Sequence, residues 1–125
     1  MRIVSLIARY LLGLEFLVFG LNGFFHFIHM PEMPGLPGQF MGAVFASHFY
    51  VVIFALQAIS GLLFLIGRYV PLALLLSGPV LVNIICFHIY MAPAGYAGAV
   101  LATILWFLVF YSVRANFESV FVAKA

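Results

Sequence analysis

Glu15, Asn22, His26 and His29 are polar side chains set into one long apolar stretch near the start of the chain. If that stretch is helical, each residue advances ~100°, and Asn22, His26 and His29 fall within ~40° of the Glu15 direction. The four then form one polar stripe, running from the middle of the stretch to its far end. Gln57 and Asn83 lie near the middles of two later apolar stretches, and His48 and His88 near the ends of theirs. The residues predict two layers, a central one of Glu15, Gln57 and Asn83 and an outer one of His26, His29, His48 and His88.

These groups suit a restricted chemistry. Amides and imidazoles amid apolar and aromatic walls can hydrogen-bond a quinone headgroup, and the chain supplies fifteen phenylalanines for such walls. Imidazoles from two helices can also ligate haem or a transition metal. No spacing here is diagnostic of either, so no metal ligand set is assigned. His26 and His29, three apart, can share one side of a helix turn. His88 lies ~140° from Asn83 around a helix, which predicts separate surroundings for these two. The sequence has no nucleophile–base pair with a third orienting group and no Gly-rich phosphate loop.

The elements that carry these residues follow from composition. Only 6% of the 125 residues are charged, against about 25% in soluble domains. So few charges cannot cover a water-exposed surface, and lipid is the expected solvent for most of it. A net charge of +2 is too small and scattered for a nucleic-acid surface. Cys86 is the only cysteine, which excludes an intrachain disulfide and thiol–disulfide exchange within the chain.

Four apolar stretches, about 3–28, 43–66, 71–91 and 96–113, are each close to the ~20 residues that cross a bilayer as a helix. The first is longer than a signal-peptide core, contains Glu15 and has no convincing cleavage site, so it reads as a retained helix. The segment 29–42, with Pro31, Pro34 and Pro37 and three glycines, reads as an outer loop. Gly67-Arg68-Tyr69 and Pro93-Ala94-Gly95 form the other breaks, and Pro71 stands in the expected first turn of a helix. The expected fold is all-α, a single membrane domain built as a transmembrane four-helix bundle. Arg2, Arg9, Arg68, Arg114 and Lys124 all fall on one side of it, so both termini are expected in the cytoplasm.

A charge at the bilayer centre costs roughly 2.5–3.5 kcal/mol on insertion scales. The Glu15 stripe is therefore expected to face other helices, another subunit or water. Arg9 lies ~120° from Glu15 around the helix and shares its face with Gly13 and Gly20. With Gly61 in the second stretch, these read as helix-packing residues, because small side chains permit close approach.

Several ordered segments resemble the DoxX-like membrane proteins. They are Arg9-Tyr-Leu-Leu-Gly-Leu-Glu-Phe, Gly20-Leu-Asn-Gly, Met30-Pro-Glu-Met-Pro-Gly-Leu-Pro-Gly, Ala55-Leu-Gln-Ala-Ile-Ser-Gly, Arg68-Tyr-Val-Pro-Leu-Ala-Leu and Phe87-His-Ile-Tyr-Met-Ala-Pro-Ala-Gly. The resemblance implies a four-helix bundle in the bacterial inner membrane. Some members of that family are subunits of thiosulfate:quinone oxidoreductases, and others belong to redox-stress complexes.

The expected function is that of a small membrane subunit in a respiratory or redox assembly, not catalytic alone, lining a quinone or lipid pocket. Its partners would be lipid, other membrane subunits or further copies of itself. Two other readings stand beside it. One is a stand-alone quinone- or haem-binding oxidoreductase. The other is a small oligomeric transporter using the Glu15 stripe as its path.

Overall fold

The computed structural model describes residues 2–28 and 33–123. The described residues form helices α1 (Arg2–Phe25), α2 (Leu36–Ala46), α3 (Tyr50–Ile66), α4 (Val70–Tyr90) and α5 (Ala97–Ser112), followed by a 3₁₀ helix, Arg114–Phe121. No strand occurs among them. α1 and α4 are each long and apolar enough to cross a membrane. Two bent pairs, α2 with α3 and α5 with the 3₁₀ helix, bring the candidate spans to as many as four if each pair counts as one.

The long helices close a ring in which α1 packs on α3, α3 on α4, α4 on α5, and α5 back on α1. Leu12, Phe16, Phe64, Leu74 and Val109 are almost wholly buried at its centre. Much of the outer surface is large apolar side chains, Ile3, Ile7, Leu14, Ile59, Leu75, Val82, Ile104 and Phe107 among them. That is the surface expected of a bundle solvated by hydrocarbon, where backbone groups are satisfied within helices and side chains need no water.

α1 and α3 approach closely because glycines line the contact. A β-carbon on Gly13 would lie 2.9 Å from the Gly61 carbonyl oxygen, and one on Gly20 only 2.6 Å from the Ala58 nitrogen. Arg9 reaches across the same interface and donates to the Phe64 carbonyl. That carbonyl belongs to the last turn of α3, where backbone acceptors have no helical partner and a cation meets the negative end of the helix dipole. Gly67 then ends α3 in the left-handed region, φ 70°, its N–H bonded to the Leu63 carbonyl.

Three boundaries differ from the sequence expectation. The first stretch, expected over 3–28, ends as helix at Phe25. His26 takes φ 52°, and the Asn22 Oδ1 accepts the Ile28 N–H at 2.7 Å, folding the chain back on its own helix end. The second stretch, expected as one span over 43–66, is broken at 47–49, and its two parts meet at 91°. The corner is built by the Ser47 hydroxyl, which donates to the Val44 carbonyl and accepts the Phe49 N–H, with His48 left-handed at φ 66°. His48 is therefore a corner residue, not the start of a span. Finally, 36–42, expected as loop, is the first part of α2. Pro37 occupies its first turn, where a missing N–H costs nothing.

The 3₁₀ helix turns 87° away from α5. It lays Phe117 into the core, and the Phe117 ring lies 5.0 Å from that of Phe110.

Candidate functional site: a polar-walled cavity beneath α2

α2 does not pack along the ring; its aromatic side chains bridge the ends of the other helices. The Phe40 ring contacts Phe87 on α4 at 5.7 Å, and Phe45 lies 5.3 Å from the His26 imidazole and 5.0 Å from the Tyr50 ring. The Ser47–Phe49 corner makes this possible, by letting a continuous apolar stretch fold across α3 and α4.

Beneath α2 is a cavity of about 150 Å³. Phe40, Met41 and Val44 of α2 cover it, and Ile53, Phe54, Ile84 and Phe87 form its apolar walls. Its polar wall residues are Gln57 from α3 and Asn83 and His88 from α4. Gln57 is only 5% exposed and makes no side-chain hydrogen bond with the described residues. Since α3 and α4 are adjacent in the ring, the buried Gln57, the exposed Asn83 and the half-buried His88 border one open-sided cavity.

His88 and Asn83 thus border the same cavity, although their angular separation predicted otherwise. The His88 Nδ1 lies 3.0 Å from the Ala92 carbonyl oxygen, in the turn that follows α4. His88 also borders a larger groove of about 460 Å³ between α4 and α5, walled by Ile85, Ile89, Ala99, Val100 and Ile104.

The other predicted site residues are placed elsewhere. Glu15 is half-buried and turned toward α5, where its Oε2 would lie 3.9 Å from a β-carbon on Gly98. Its Oε1 is buried and has no hydrogen-bond partner among the described residues. Asn22, 7% exposed, is occupied by the Ile28 N–H. His26 is exposed beyond the end of α1, against Phe45. His48 is exposed at the α2–α3 corner, its ring 6.1 Å from Tyr50. His29 lies outside the described residues. Arg9, Gly13, Gly20 and Gly61 all sit in the α1–α3 contact. The helical stripe of α1 is therefore not one site, and Glu15 and Asn22 do not wall the cavity. Among the described residues, no three His, Cys, Asp or Glu side chains come together to hold a metal ion.

The lid residues Phe40, Met41 and Val44 were not singled out from sequence. The available signal was the apolar run after Pro37, which has a helix-compatible start.

The cavity can receive a small ring bearing two polar groups. Amides supply both donors and acceptors, the imidazole adds one more nitrogen, and the other walls are apolar. No protein-family model, curated protein or solved structure matches the chain.

Proposed function

We propose that this chain is a four-span, DoxX-like subunit of the bacterial inner membrane that provides a quinone-headgroup pocket to a respiratory or redox assembly. α1, α3, α4 and α5 are the crossings, and α2 is a re-entrant lid on the outer side. Both termini lie in the cytoplasm. Arg2, Arg9, Arg68 and Arg114 support this orientation, since they gather at one end of the bundle under the positive-inside bias.

The observation that carries the reading is that Gln57, Asn83 and His88 border one cavity whose other walls are apolar. Polar side chains at membrane depth are costly, and those that face a cavity usually mark a ligand path. A quinone ring carries two carbonyl acceptors on an apolar plane, which matches amide donors set among Phe40, Phe54 and Phe87. The rest of the chain has no extramembrane domain among its described residues that could hold a nucleotide or a second redox group. On this reading, electrons come from, or go to, another subunit.

The test is purification from the native membrane in mild detergent, followed by solvent extraction and identification of co-purifying polypeptides. A bound quinone that is lost in Gln57→Leu and Asn83→Leu is the expected result. A lone, folded chain with neither quinone nor partner polypeptide overturns the reading.

A further inference from the structure

Away from the cavity, the end of the chain carries an apolar surface with no partner in the bundle. α5 has 16 residues, a length of ~24 Å at ~1.5 Å per residue, against the ~30 Å of hydrocarbon that a span must cross. In the four-span reading α5 therefore ends ~6 Å short of the cytoplasmic headgroups. There the chain turns 87° into the 3₁₀ helix, which then runs across the end of the bundle at the edge of the hydrocarbon. Phe117 is buried and pins this helix to the core, while the consecutive Val120, Phe121 and Val122 are 62%, 76% and 59% exposed. At the head of the same helix, the Arg114 guanidinium donates to the Tyr111 carbonyl at 2.7 Å and lies over the Tyr111 ring at 4.0 Å. A guanidinium has five N–H donors, and the others make no hydrogen bond with the described residues. Glu118 does not neutralise it. Side chains in a 3₁₀ helix repeat every three residues, so Glu118, four residues on, lies about 120° away.

We infer that the Arg114–Phe121 helix is a binding site for an anionic phospholipid of the cytoplasmic leaflet. Val120, Phe121 and Val122 lie among acyl chains, and Arg114 holds the phosphodiester headgroup. The inference rests on the four-span reading above and adds a lipid class to it. Charge selects an anionic lipid. Arg2 and Arg68 are exposed at the same end of the bundle, and Glu118 is the one acidic residue there among the described residues. An apolar patch beside cations is the composition of segments that lie in a membrane interface, and an arginine stem can rest on acyl chains while its head reaches a phosphate. The backbone is suited to that depth, because the helix bonds its own amides, as the Asn116 N–H does to the Val113 carbonyl at 3.0 Å. A soluble protein partner fits less well, since it would have to displace lipid to reach side chains level with the acyl chains. Each basic residue near an anionic surface raises affinity about fivefold.

Two measurements on the full chain test this. The first places a nitroxide at position 121 (Phe121→Cys, in a Cys86→Ala background) in phosphatidylglycerol–phosphatidylcholine vesicles and compares its collisions with oxygen and with a water-soluble nickel chelate. A second label at position 82 (Val82→Cys), on the exposed face of α4, serves as the membrane control. Both labels are expected to meet oxygen and not the chelate. Chelate access at position 121 alone overturns the inference and leaves the four-span reading standing; chelate access at both overturns the two together. Shielding of position 121 from both reagents means that another copy of the chain covers the patch, and it overturns the inference as well. If Phe121→Cys does not fold, Val122→Cys gives the same readout. The second measurement is native mass spectrometry of the protein released from detergent with equimolar phosphatidylglycerol and phosphatidylcholine. Phosphatidylglycerol is expected to be retained preferentially, and Arg114→Gln to lower that preference about fivefold while Arg114→Lys keeps most of it. An unchanged preference in Arg114→Gln overturns the assignment of the headgroup to Arg114.

Discussion

The Trp106 indole N–H donates to the Ser77 hydroxyl oxygen at 3.0 Å, joining α5 to α4 inside the bundle. Ser77 is fully buried and passes its own hydrogen to the Leu74 carbonyl at 3.4 Å. The Trp106 ring stacks on Phe110, one turn along, with centroids 5.5 Å apart. In an apolar medium the indole N–H has no water to turn to, so its partner fixes where the ring sits. Interhelical hydrogen bonds of this kind contribute about 0.6–2 kcal/mol in membranes. Ser77→Ala is therefore expected to lower stability by about that amount. Trp106 is the only tryptophan, so its fluorescence reports the loss directly. The emission should shift to the blue as the N–H loses its acceptor; an unchanged spectrum would show that the bond does not hold the ring.

The four long apolar stretches were legible in the sequence because hydropathy averages over a window about as long as a membrane crossing. The same averaging hid the α2–α3 corner. Ser47, His48 and Phe49 sit in a run apolar enough to read as continuous, yet one serine hydroxyl and one left-handed histidine turn the chain through 91°. The helix α2 was obscured for the opposite reason. Its prolines and glycines read as breakers, but Pro37 falls in a first turn that needs no N–H. Angular reasoning on α1 grouped Glu15, Asn22 and His26, and it held only while the helix did. At His26 the backbone leaves the helix, so the 100° rule no longer sets its direction. Gln57 and Asn83 were visible as polar residues at mid-depth. That they border one cavity with His88 depended on which helices are neighbours, and on a lid that a one-dimensional pattern does not contain.

The Gly13–Gly61 contact predicts a steep response to small increases in side-chain size. A β-carbon on Gly13 would lie 2.9 Å from the Gly61 carbonyl oxygen, and one on Gly61 would lie 2.8 Å from that of Gly13. The atoms met are backbone, which cannot rotate away, so the helices must separate. Overpacking of this kind costs typically about 1–3 kcal/mol. Gly61→Ala is expected to lower the thermal midpoint in detergent, and Gly61→Leu to prevent accumulation of folded protein. Gly42→Ala serves as the control, since nothing lies within 4 Å of its built β-carbon. Equal effects at positions 42 and 61 would remove close helix approach as the explanation.

Arg9 presents a different dependence, on hydrogen-bonding geometry and not on size. Its guanidinium donates to the Phe64 carbonyl at the end of α3 and lies against Gly67. A hydrogen bond to a charged group contributes about 1.5–3 kcal/mol. Arg9→Leu is expected to lose most of that and to fray the last turn of α3, seen as faster amide exchange at Ile66, Gly67 and Arg68. Arg9→Lys should fall between the two, because an ammonium is a point donor without the planar fork. Unaltered exchange at those amides in Arg9→Leu would show that α3 ends without this cap.

Glu15 is the residue whose replacement should raise stability. Its Oε1 is buried with no hydrogen-bond partner among the described residues, and the nearby α5 backbone at Gly98 offers no compensating contact in the structure. A buried polar atom left unpaired costs about 1–3 kcal/mol. An apolar side chain of similar length removes that cost and keeps the packing between α1 and α5. Glu15→Leu is therefore expected to raise the thermal midpoint of the detergent-solubilised protein, and Glu15→Gln to change it less, since the amide still buries a polar group. Glu15 does not wall the cavity, so quinone binding should survive both changes. The contrary outcome is informative in its own way. If Glu15→Leu is less stable than the wild type, the carboxyl has a partner in the purified state: a proton-donating group outside the described residues or on another chain, a water, or a bound ion. Measuring both variants alone and in the native assembly separates these cases, because a partner on another chain makes Glu15→Leu destabilising only when that chain is present.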